Sequence, residues 1–232
     1  MSEKIFEIIN QWRDPQKALV LQKFFKTGPG EYGEGDIFWG VPVPEQKKIA
    51  REFKDADFDL LKKMMQSKVH DHRSIALLIL IDQYQKGSEF LKKEIFNFYC
   101  SQMDKINNWD LVDISAAKII GDYLYNRSRR FLFKLAKSQN LWFRRISIIS
   151  THYFIRQNDL EDSLKISSLL IKDNHDLIHK AVGWTLREVG KKDVKALEDF
   201  LENNYRIMPR VMLRYAIEKF PEKKRKYYLK KQ

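Results

Sequence analysis

An all-α fold is the class that the sequence predicts, and three features of its composition predict it. Glycine and proline number only 9 and 6 among 232 residues, roughly half their usual combined share of about 12%. After Pro44 the chain reaches Met208 without another proline, whereas the short strands of a β-sandwich need a turn about every dozen residues. Apolar residues make up 44% of the chain, which excludes intrinsic disorder and supplies a core.

The first predicted element is an N-terminal helix, and a Gly/Pro-rich segment follows it. Five of the nine glycines and three of the six prolines fall between Gly28 and Pro44, so we expect irregular backbone there. Helices separated by polar turns then account for the rest of the chain. We predict one domain over 1–232, with the N-terminal helix and Gly/Pro-rich segment at 1–44, helical repeats at 45–220 and a basic tail at 221–232.

A recurring pattern predicts how these helices are arranged. Polar residues followed by a charged side chain introduce a helix of small or β-branched apolar residues five times. The charged markers, spaced by 40, 32, 35 and 34 residues, are Arg73, Asp113, Arg145, Lys180 and Arg214. Further amphipathic helices lie between the markers, as at residues 89–100. Helical pairs at this loose spacing predict an α-α superhelix, a solenoid of HEAT-like repeats; an irregular all-α bundle is the alternative.

The net charge of +12 is confined to one half of the chain. Residues 1–120 contain 18 basic and 18 acidic side chains, whereas residues 121–232 contain 25 and 13. A half-chain this basic attracts phosphate backbones or anionic lipid through its long-range field and through counterion release. A soluble protein that is simply basic is the alternative interpretation.

Several kinds of site and location are disfavoured by the sequence. Cys100 is the single cysteine, so an intramolecular disulfide and a multi-cysteine zinc site are excluded. His175 and His179 are four residues apart, but no third metal ligand recurs at a suitable spacing, and we expect them at the surface. The chain start does not read as a signal peptide, and no apolar run is long enough to span a membrane. We therefore expect a cytoplasmic protein without membrane contact, metal or cofactor.

Equivalent positions of successive repeats line up along one face of a solenoid, so a site is sought by comparing repeats. Trp109 and Asp113 lie four residues apart at the start of a predicted helix. Arg145 occupies the matching position one repeat later, and Trp184 lies in the repeat after that. These residues are predicted to converge on one surface. A buried structural pair of Asp113 and Arg145, with tryptophans in the core, is the alternative.

Four segments of the chain resemble a known family, the AlkD-type DNA alkylation repair glycosylases, which have a HEAT-like repeat fold. The segments are YGEGDIFWGVPVP (32–44), NNWDLVD (107–113), WFRR (142–145) and GWTLRE (183–188). The resemblance extends from about Gly33 to Phe220. It implies a glycosylase that hydrolyses the N-glycosidic bond of 7-alkylguanine and 3-alkyladenine in duplex DNA. No lysine is singled out as a Schiff-base nucleophile, so we expect a monofunctional enzyme. We also expect a monomer that needs no cofactor.

The resemblance also implies roles for individual residues. Asp113 matches the catalytic aspartate, Trp109 the tryptophan one turn before it, Arg145 the arginine of the next repeat and Trp184 the second tryptophan. Tyr32 is the nearest counterpart of an N-terminal tyrosine that contacts DNA. The sequence departs from some relatives at positions 176 and 177, where Asp and Leu replace apolar aromatic residues.

These residue types suit the implied chemistry. An alkylated purine is cationic and leaves as a neutral base, so the group that needs stabilisation is the sugar as it becomes an oxocarbenium ion. A carboxylate at Asp113 supplies the opposite charge and can orient the attacking water. The two indole rings offer electron-rich faces to a cation, and Arg145 can hold a phosphate and favour the ionised form of Asp113.

The remaining predictions concern DNA contacts and polar segments. Besides Tyr32, we expect the following cations to bind DNA: Arg144, Lys180, Arg187 and Arg214. A salt bridge from Arg187 to Glu188 is an equal alternative. The His70–Asp71–His72 run lies at a predicted helix start and is expected to be a polar turn. The basic tail is expected to be a solvated, frayed terminus, with DNA contact as the alternative. Two other function classes stay open: a DNA-binding repeat protein without glycosylase activity, and a protein-interaction scaffold.

Overall fold

The computed structural model describes residues 2–230 and is an all-α fold of HEAT-like helical repeats, so the predicted fold class is confirmed. Within residues 2–230, extended pairing is limited to an isolated bridge between Ile37 and Val69. The chain divides into two compact units, residues 1–115 and residues 116–232. The expectation of a single domain over 1–232 stays a prediction.

The first unit is built around one long buried helix. Its helices are α1 (Ser2–Gln11), α2 (Pro15–Phe24), α3 (Val43–Glu52), α4 (Phe58–Met65), α5 (His70–Lys86), α6 (Glu89–Ser101) and α7 (Trp109–Ala116). Helix α5 packs against α3, α4 and α6, and most of its side chains are buried. The sequence prediction of one N-terminal helix is wrong, because Asp14 caps a new helix at Pro15.

The second unit is organised around two long helices. A π-helical turn at residues 117–121 precedes α8 (Asp122–Tyr125), α9 (Arg130–Ala136), α10 (Leu141–Arg156), α11 (Glu161–Leu170), α12 (Asp176–Lys192), α13 (Val194–Asn204), α14 (Arg210–Ala216) and α15 (Glu222–Lys230). Helix α12 packs against α10, α11, α13 and α14. The tail expected to be frayed instead forms α15, because Tyr228 is buried against the rings of Tyr205 and Phe220; residues 231–232 of that tail lie outside the described residues.

Polar side chains set the helix starts, as the scarcity of glycine and proline predicts. The side chains of Asp14, Asp57, Ser88, Asn140 and Asp193 each accept a hydrogen bond from a backbone N–H in the first turn of the helix that follows. These caps satisfy donors that a helix start otherwise leaves unpaired. Each of the five charged markers is the fourth or fifth residue of a helix, so the helices begin about one turn earlier than predicted.

Side-chain hydrogen bonds between helices recur at the repeat spacing. Arg129 bonds Asp159 and Asp162, 30 and 33 residues later, and His152 bonds Thr185, 33 residues later. Such contacts join equivalent positions of neighbouring helical pairs. They give the repeat pattern a physical basis within the second unit, since each pair contacts the next one along the chain.

Gly183 allows α12 and α14 to approach closely. A Cβ atom at this position would lie 2.5 Å from the Met212 carbonyl oxygen and 2.6 Å from the Tyr215 Cβ, distances that real Cβ atoms do not reach. Glycine is therefore required for this packing, and the same contact fixes the backbone beside Trp184.

We expect Gly183→Ala to lower the free energy of unfolding by about 1–3 kcal/mol, the usual cost of overpacking a filled core. Urea unfolding followed by circular dichroism measures the change. Ser168→Ala, at an exposed position of α11, is the control and is expected to stay within about 0.5 kcal/mol of the wild type. A Gly183→Ala protein as stable as the control would contradict the packing described above.

Candidate active site and basic surface

Trp109 and Asp113 lie one turn apart on one face of α7, and both side chains are partly exposed. The buried Asn108 starts this helix by accepting a hydrogen bond from the Trp109 N–H at 2.8 Å. The Trp109 ring stacks on Phe25 with centroids 5.1 Å apart. It also meets the edge of Phe24 at 5.9 Å, and Phe24 is itself 61% exposed. The end of α2 thus fixes the orientation of the indole.

The aromatic stack continues from Trp109 into the core of the first unit. Phe25 stacks on Phe38 with centroids 4.8 Å apart, and Phe38 stacks on the His70 ring at 4.3 Å. Ala18 is buried in the same cluster. The stack therefore joins α2, the Gly/Pro-rich segment, α5 and α7.

His70 lies between two carboxylates. Its Nδ1 is 3.1 Å from an oxygen of Asp36, and its Nε2 is 2.8 Å from an oxygen of Asp110. Arg73 donates to the same Asp36 oxygen at 2.7 Å, and Asn107 donates to the other at 3.2 Å. We call Asp36, His70, Arg73 and Asp110 the ionic cluster.

Burial and charge act in opposite directions within the ionic cluster. Burial by itself would lower the pKa of His70, but the charge and hydrogen bond of Asp110, with the hydrogen bond of Asp36, raise this pKa above 6.5. Burial would likewise raise the pKa of Asp36, yet the hydrogen bond from His70 and the charge of Arg73 hold this pKa below its usual value. The imidazolium and the carboxylate are therefore the forms that the cluster stabilises.

The expectation of a polar turn at residues 70–72 is wrong. His70, Asp71 and His72 are 3%, 1% and 5% exposed, and each side chain has at least one hydrogen-bond partner inside the protein. Asp71 accepts hydrogen bonds from the backbone N–H groups of Trp39 and Val41 at 2.8 and 2.9 Å. Burial lowers the pKa of His72 to about 4, so His72 is neutral although His70, two residues away, is charged.

Trp184 lines a cleft in the second unit. Its indole N–H donates to a Glu188 oxygen at 3.1 Å, and its ring meets that of His152 in a T-shaped contact at 4.5 Å. The cleft has a volume of about 510 Å³. Its lining is mainly basic and aromatic: His152, Ile155, Arg156, Trp184, Glu188, Lys191 and Lys192.

His152 supports Trp184 as an uncharged ring. Its Nε2 lies 2.8 Å from the Thr185 hydroxyl, and the side chain is buried. Burial, which the charge of Glu188 opposes, lowers the pKa of His152 to about 3. Neutral imidazole is therefore the form present from mildly acidic to basic pH.

The paired arginines at the start of α10 are bound within the second unit. Arg145 is 5% exposed and donates to the Leu177 carbonyl at 2.6 Å. Arg144 donates to Asp173 at 2.6 Å and to the carbonyls of Ser138 and Gln139. Both side chains thus link the start of α10 to the region that opens α12.

The other cations predicted to bind DNA lie on α12 and α14. Lys180 and Arg214 line a second cleft, of about 410 Å³, together with Arg225 and Glu218. Lys180 pairs with Asp176 at 2.6 Å, and Arg214 is exposed. Arg187 forms ion pairs with Glu218 and Glu188, which agrees with the salt-bridge alternative.

Tyr32, His175 and His179 are not among the residues that line the two clefts. Tyr32 is half-buried in the Gly/Pro-rich segment. His175 and His179 are half-buried. His175 caps α12 by accepting from the Leu177 N–H, and His179 bonds the Asp173 carbonyl. Among residues 2–230, no group of three or more His, Cys, Asp or Glu side chains is arranged to hold a metal ion.

The excess positive charge belongs to the second unit. Residues 1–115 contain 17 basic and 18 acidic side chains, and residues 116–232 contain 26 and 13. The unit that carries Trp184 and both clefts is thus strongly basic, whereas the unit that carries Trp109 and Asp113 is almost neutral. In the described part of the chain, no helix is both long and apolar enough to cross a bilayer.

Sequence reasoning missed the residues that hold the two tryptophans. These are Phe24, Phe25, Asp36, His70, Asp110, His152 and Glu188. One signal was present: Asp36, His70 and Asp110 are 34 and 40 residues apart, which is the spacing of the charged markers. Acidic and histidine residues at the repeat spacing therefore indicate the ionic cluster in the sequence.

The sequence matches the family described as DNA alkylation repair enzyme over residues 7–220. A solved structure from Enterococcus faecalis, described as a predicted DNA alkylation repair enzyme, has a TM-score of 0.68 at 16% identity and covers 90% of this chain and 97% of its own. AlkD2 from Streptococcus mutans has a TM-score of 0.56 at 20% identity and covers 89% and 98%. A comparison with curated proteins finds no match.

We expect the free energy of unfolding to fall with pH below 6.5, because unfolded chains bind a proton that folded His152 excludes down to about pH 3. One such group contributes up to about 1.4 kcal/mol per pH unit. In His152→Gln, the slope of unfolding free energy against pH in the acid range is therefore expected to be shallower by the contribution of one bound proton. Urea unfolding at a series of pH values measures this slope. His179→Gln is the control for removing a histidine, and equal slopes for wild type and His152→Gln would refute the assignment.

Proposed function

The chain belongs to the DNA alkylation repair enzyme family, and from this premise we propose that it is a monofunctional DNA glycosylase for cationic alkylated purines in duplex DNA. The proposed substrates are 7-alkylguanine and 3-alkyladenine. The observation that carries the proposal is the pairing of a partly exposed indole and a partly exposed carboxylate on one face of α7. An indole face and a carboxylate both attract positive charge.

In the proposed reaction a water oxygen bonds to the sugar C1′ as the bond from C1′ to the base nitrogen breaks. The bonding electron pair goes to the alkylated base, which thereby loses its positive charge and leaves as a neutral purine. The sugar carries the developing positive charge, and ionised Asp113 stabilises it. Asp113 also orients the water and takes up its proton. No cofactor and no lysine nucleophile takes part.

The tryptophans are proposed to hold the cationic nucleotide. Contact with the face of an indole is worth about 0.5–2 kcal/mol for a cation, and it requires a ring whose orientation is already fixed. Phe25 restricts Trp109 by stacking, and Glu188 restricts Trp184 through the indole N–H. Each ring is thus oriented before DNA arrives.

The basic second unit is proposed to hold the phosphate backbone. We assign phosphate contacts first to Lys180 and Arg214, whose side chains share one cleft; Arg214 is exposed, and Lys180 pairs with Asp176 within its own helix. Arg144 and Arg187 reach DNA only by exchanging their carboxylate partners. Arg145 is buried and bound to the Leu177 carbonyl, which supports the structural alternative for this arginine.

We expect wild-type protein to release free 7-methylguanine from a methylated duplex and Asp113→Asn to release it about 100-fold more slowly or worse, because the isosteric amide lacks the stabilising charge. Chromatography of the released base measures both rates. Asp104→Asn, at an exposed position of the 3₁₀ turn 103–105, is the matched control and is expected to act like the wild type.

The outcomes of this assay separate the function classes. No release by the wild type overturns the glycosylase proposal, and salt-sensitive DNA binding without release identifies a non-catalytic DNA-binding repeat protein. Release by Asp113→Asn at the wild-type rate overturns the proposed role of Asp113, although the protein is still a glycosylase. Absence of both release and DNA binding favours a protein-interaction scaffold.

We expect Lys180→Gln and Arg214→Gln each to weaken binding to any duplex and to reduce the slope of log affinity against log salt by about 1, since each removes one phosphate contact. Fluorescence anisotropy over a salt series measures the slope. Lys62→Gln, an exposed lysine of the first unit, is the control. If the slope stays the same in both variants, Lys180 and Arg214 are not part of the DNA-binding surface.

A further inference from the structure

The start of α7 is held by a charge that the proposed chemistry does not use. Asp110, the residue after Trp109, directs one carboxylate oxygen to the His70 Nε2 at 2.8 Å. Its other oxygen accepts from the Leu111 N–H at 2.8 Å. Asp110 is therefore shared between the N-terminal turn of α7, where a carboxylate is favoured, and a side chain of α5.

The geometry favours a His70 ring with protons on both nitrogens. Each nitrogen faces a carboxylate oxygen within hydrogen-bond distance, and a carboxylate only accepts. A neutral ring would turn a lone pair toward one of the two carboxylates. Arg73 lies 3.5 Å from Nδ1 but bonds Asp36 at 2.7 Å, which is its principal contact. With His70 protonated, the ionic cluster contains two cations and two anions.

His70 is connected to α7 by two separate routes. The first is the direct bond to Asp110. The second is the aromatic stack, in which the His70 ring lies 5.4 Å from Phe25, and Phe25 lies 5.1 Å from Trp109. Trp109 and Asp110, at the start of α7, are thus both held by contacts that involve the buried His70 ring. Asp113 follows one turn later on the same short helix.

We propose that the His70 imidazolium is a positioning residue of the glycosylase site, which acts through Asp110 to fix the first turn of α7 and with it Trp109 and Asp113. The catalytic consequence rests on the proposed function. The protonation of His70 and its contact with α7 are independent of the proposed function. Small displacements of a reacting group are costly, since an error of about 1 Å can lower a rate about 100-fold.

The proposal gives the reaction a pH dependence with a definite sign. The groups that face His70 are Asp36 from the Gly/Pro-rich segment, Asp110 from α7, Arg73 from its own helix, and the rings of Phe25 and Phe38. The two carboxylates raise the pKa of His70 above 6.5. The excision rate should therefore have its full value near neutral pH, where His70 is protonated. It should fall as the pH rises through the raised pKa of His70.

Three variants test the proposal: His70→Gln, Asp110→Asn and the double variant. We expect each single variant to lower the single-turnover rate of 7-methylguanine release about 10- to 100-fold, with affinity for a lesion-free duplex changed less than about threefold. The double variant should be no slower than the slower single variant, because both remove one interaction. Release at the wild-type rate by Asp110→Asn overturns the proposal, even where His70→Gln does not fold.

The control is His72→Gln. His72 is buried two residues away, but it bonds Ser67 and has no place in the ionic cluster. We expect it to lose stability while its release rate per folded molecule stays within about twofold of the wild type. A rate loss in His72→Gln equal to that in His70→Gln would reduce the role of His70 to general stability and overturn the proposal.

The pH profile of the rate separates positioning from stability. Asp110→Asn removes the carboxylate that raises the pKa of His70 most, so the fall in rate should move to lower pH in this variant. In His70→Gln the same fall should be absent. An alkaline limb that is identical in wild type and both variants overturns the proposal.

Nuclear magnetic resonance tests the proposal independently of activity. In wild-type protein at pH 7 we expect both ring nitrogens of His70 to carry protons, and we expect Asp110→Asn to shift the Trp109 indole N–H signal. A neutral His70 ring at pH 7, or an unshifted indole, overturns the proposal whether or not the protein releases base. Absence of base release by the wild type overturns the proposed function, and the resonance experiment then decides the structural claim alone.

Discussion

The interaction on which the first unit depends is the ionic cluster of Asp36, His70, Arg73 and Asp110. Buried charges are tolerated only when they are paired and hydrogen-bonded, and here two cations meet two carboxylates. The cluster also explains how a segment with five glycines stays ordered. Asp36 anchors the segment to α5 at one point, and Asp71 binds the backbone of residues 39 and 41 at another. Removing Asp36 would take away the carboxylate that pairs with the buried Arg73, a loss of about 3–5 kcal/mol.

The architecture could be predicted from sequence because its determinants are local or periodic. Capping residues such as Asp57 and Ser88 mark where helices begin, and the spacing of apolar residues indicates which helix faces are buried. The five charged markers each fall within the first five residues of a helix, so their spacing locates these helices along the chain. Pairing Trp109 with Asp113 needs only the four-residue spacing of a helix. The family follows from segments that keep their order and spacing.

The parts that could not be predicted depend on partners far away in the chain. A run of His, Asp, His and Arg has the composition of an exposed turn, and only acceptors 34 and 40 residues away make its burial favourable. Arg144 and Arg145 look free to bind phosphate in the sequence. In the structure they bind Asp173 and the Leu177 carbonyl. The local sequence indicates that burying such a polar group is unfavourable. The contact that compensates for burial comes from residues that are distant in the chain and depends on the tertiary structure.

Each unit uses a histidine to support a tryptophan, but the two histidines carry different charges. His70 faces two carboxylates and is held as a cation, whereas His152 faces the Thr185 hydroxyl and is held neutral. The pKa of His70 is raised above 6.5 and that of His152 is lowered to about 3, so both rings have their supporting form between these limits. Neither ring changes charge as neutral pH is approached from the acid side. Both indoles therefore keep the same surroundings between these limits.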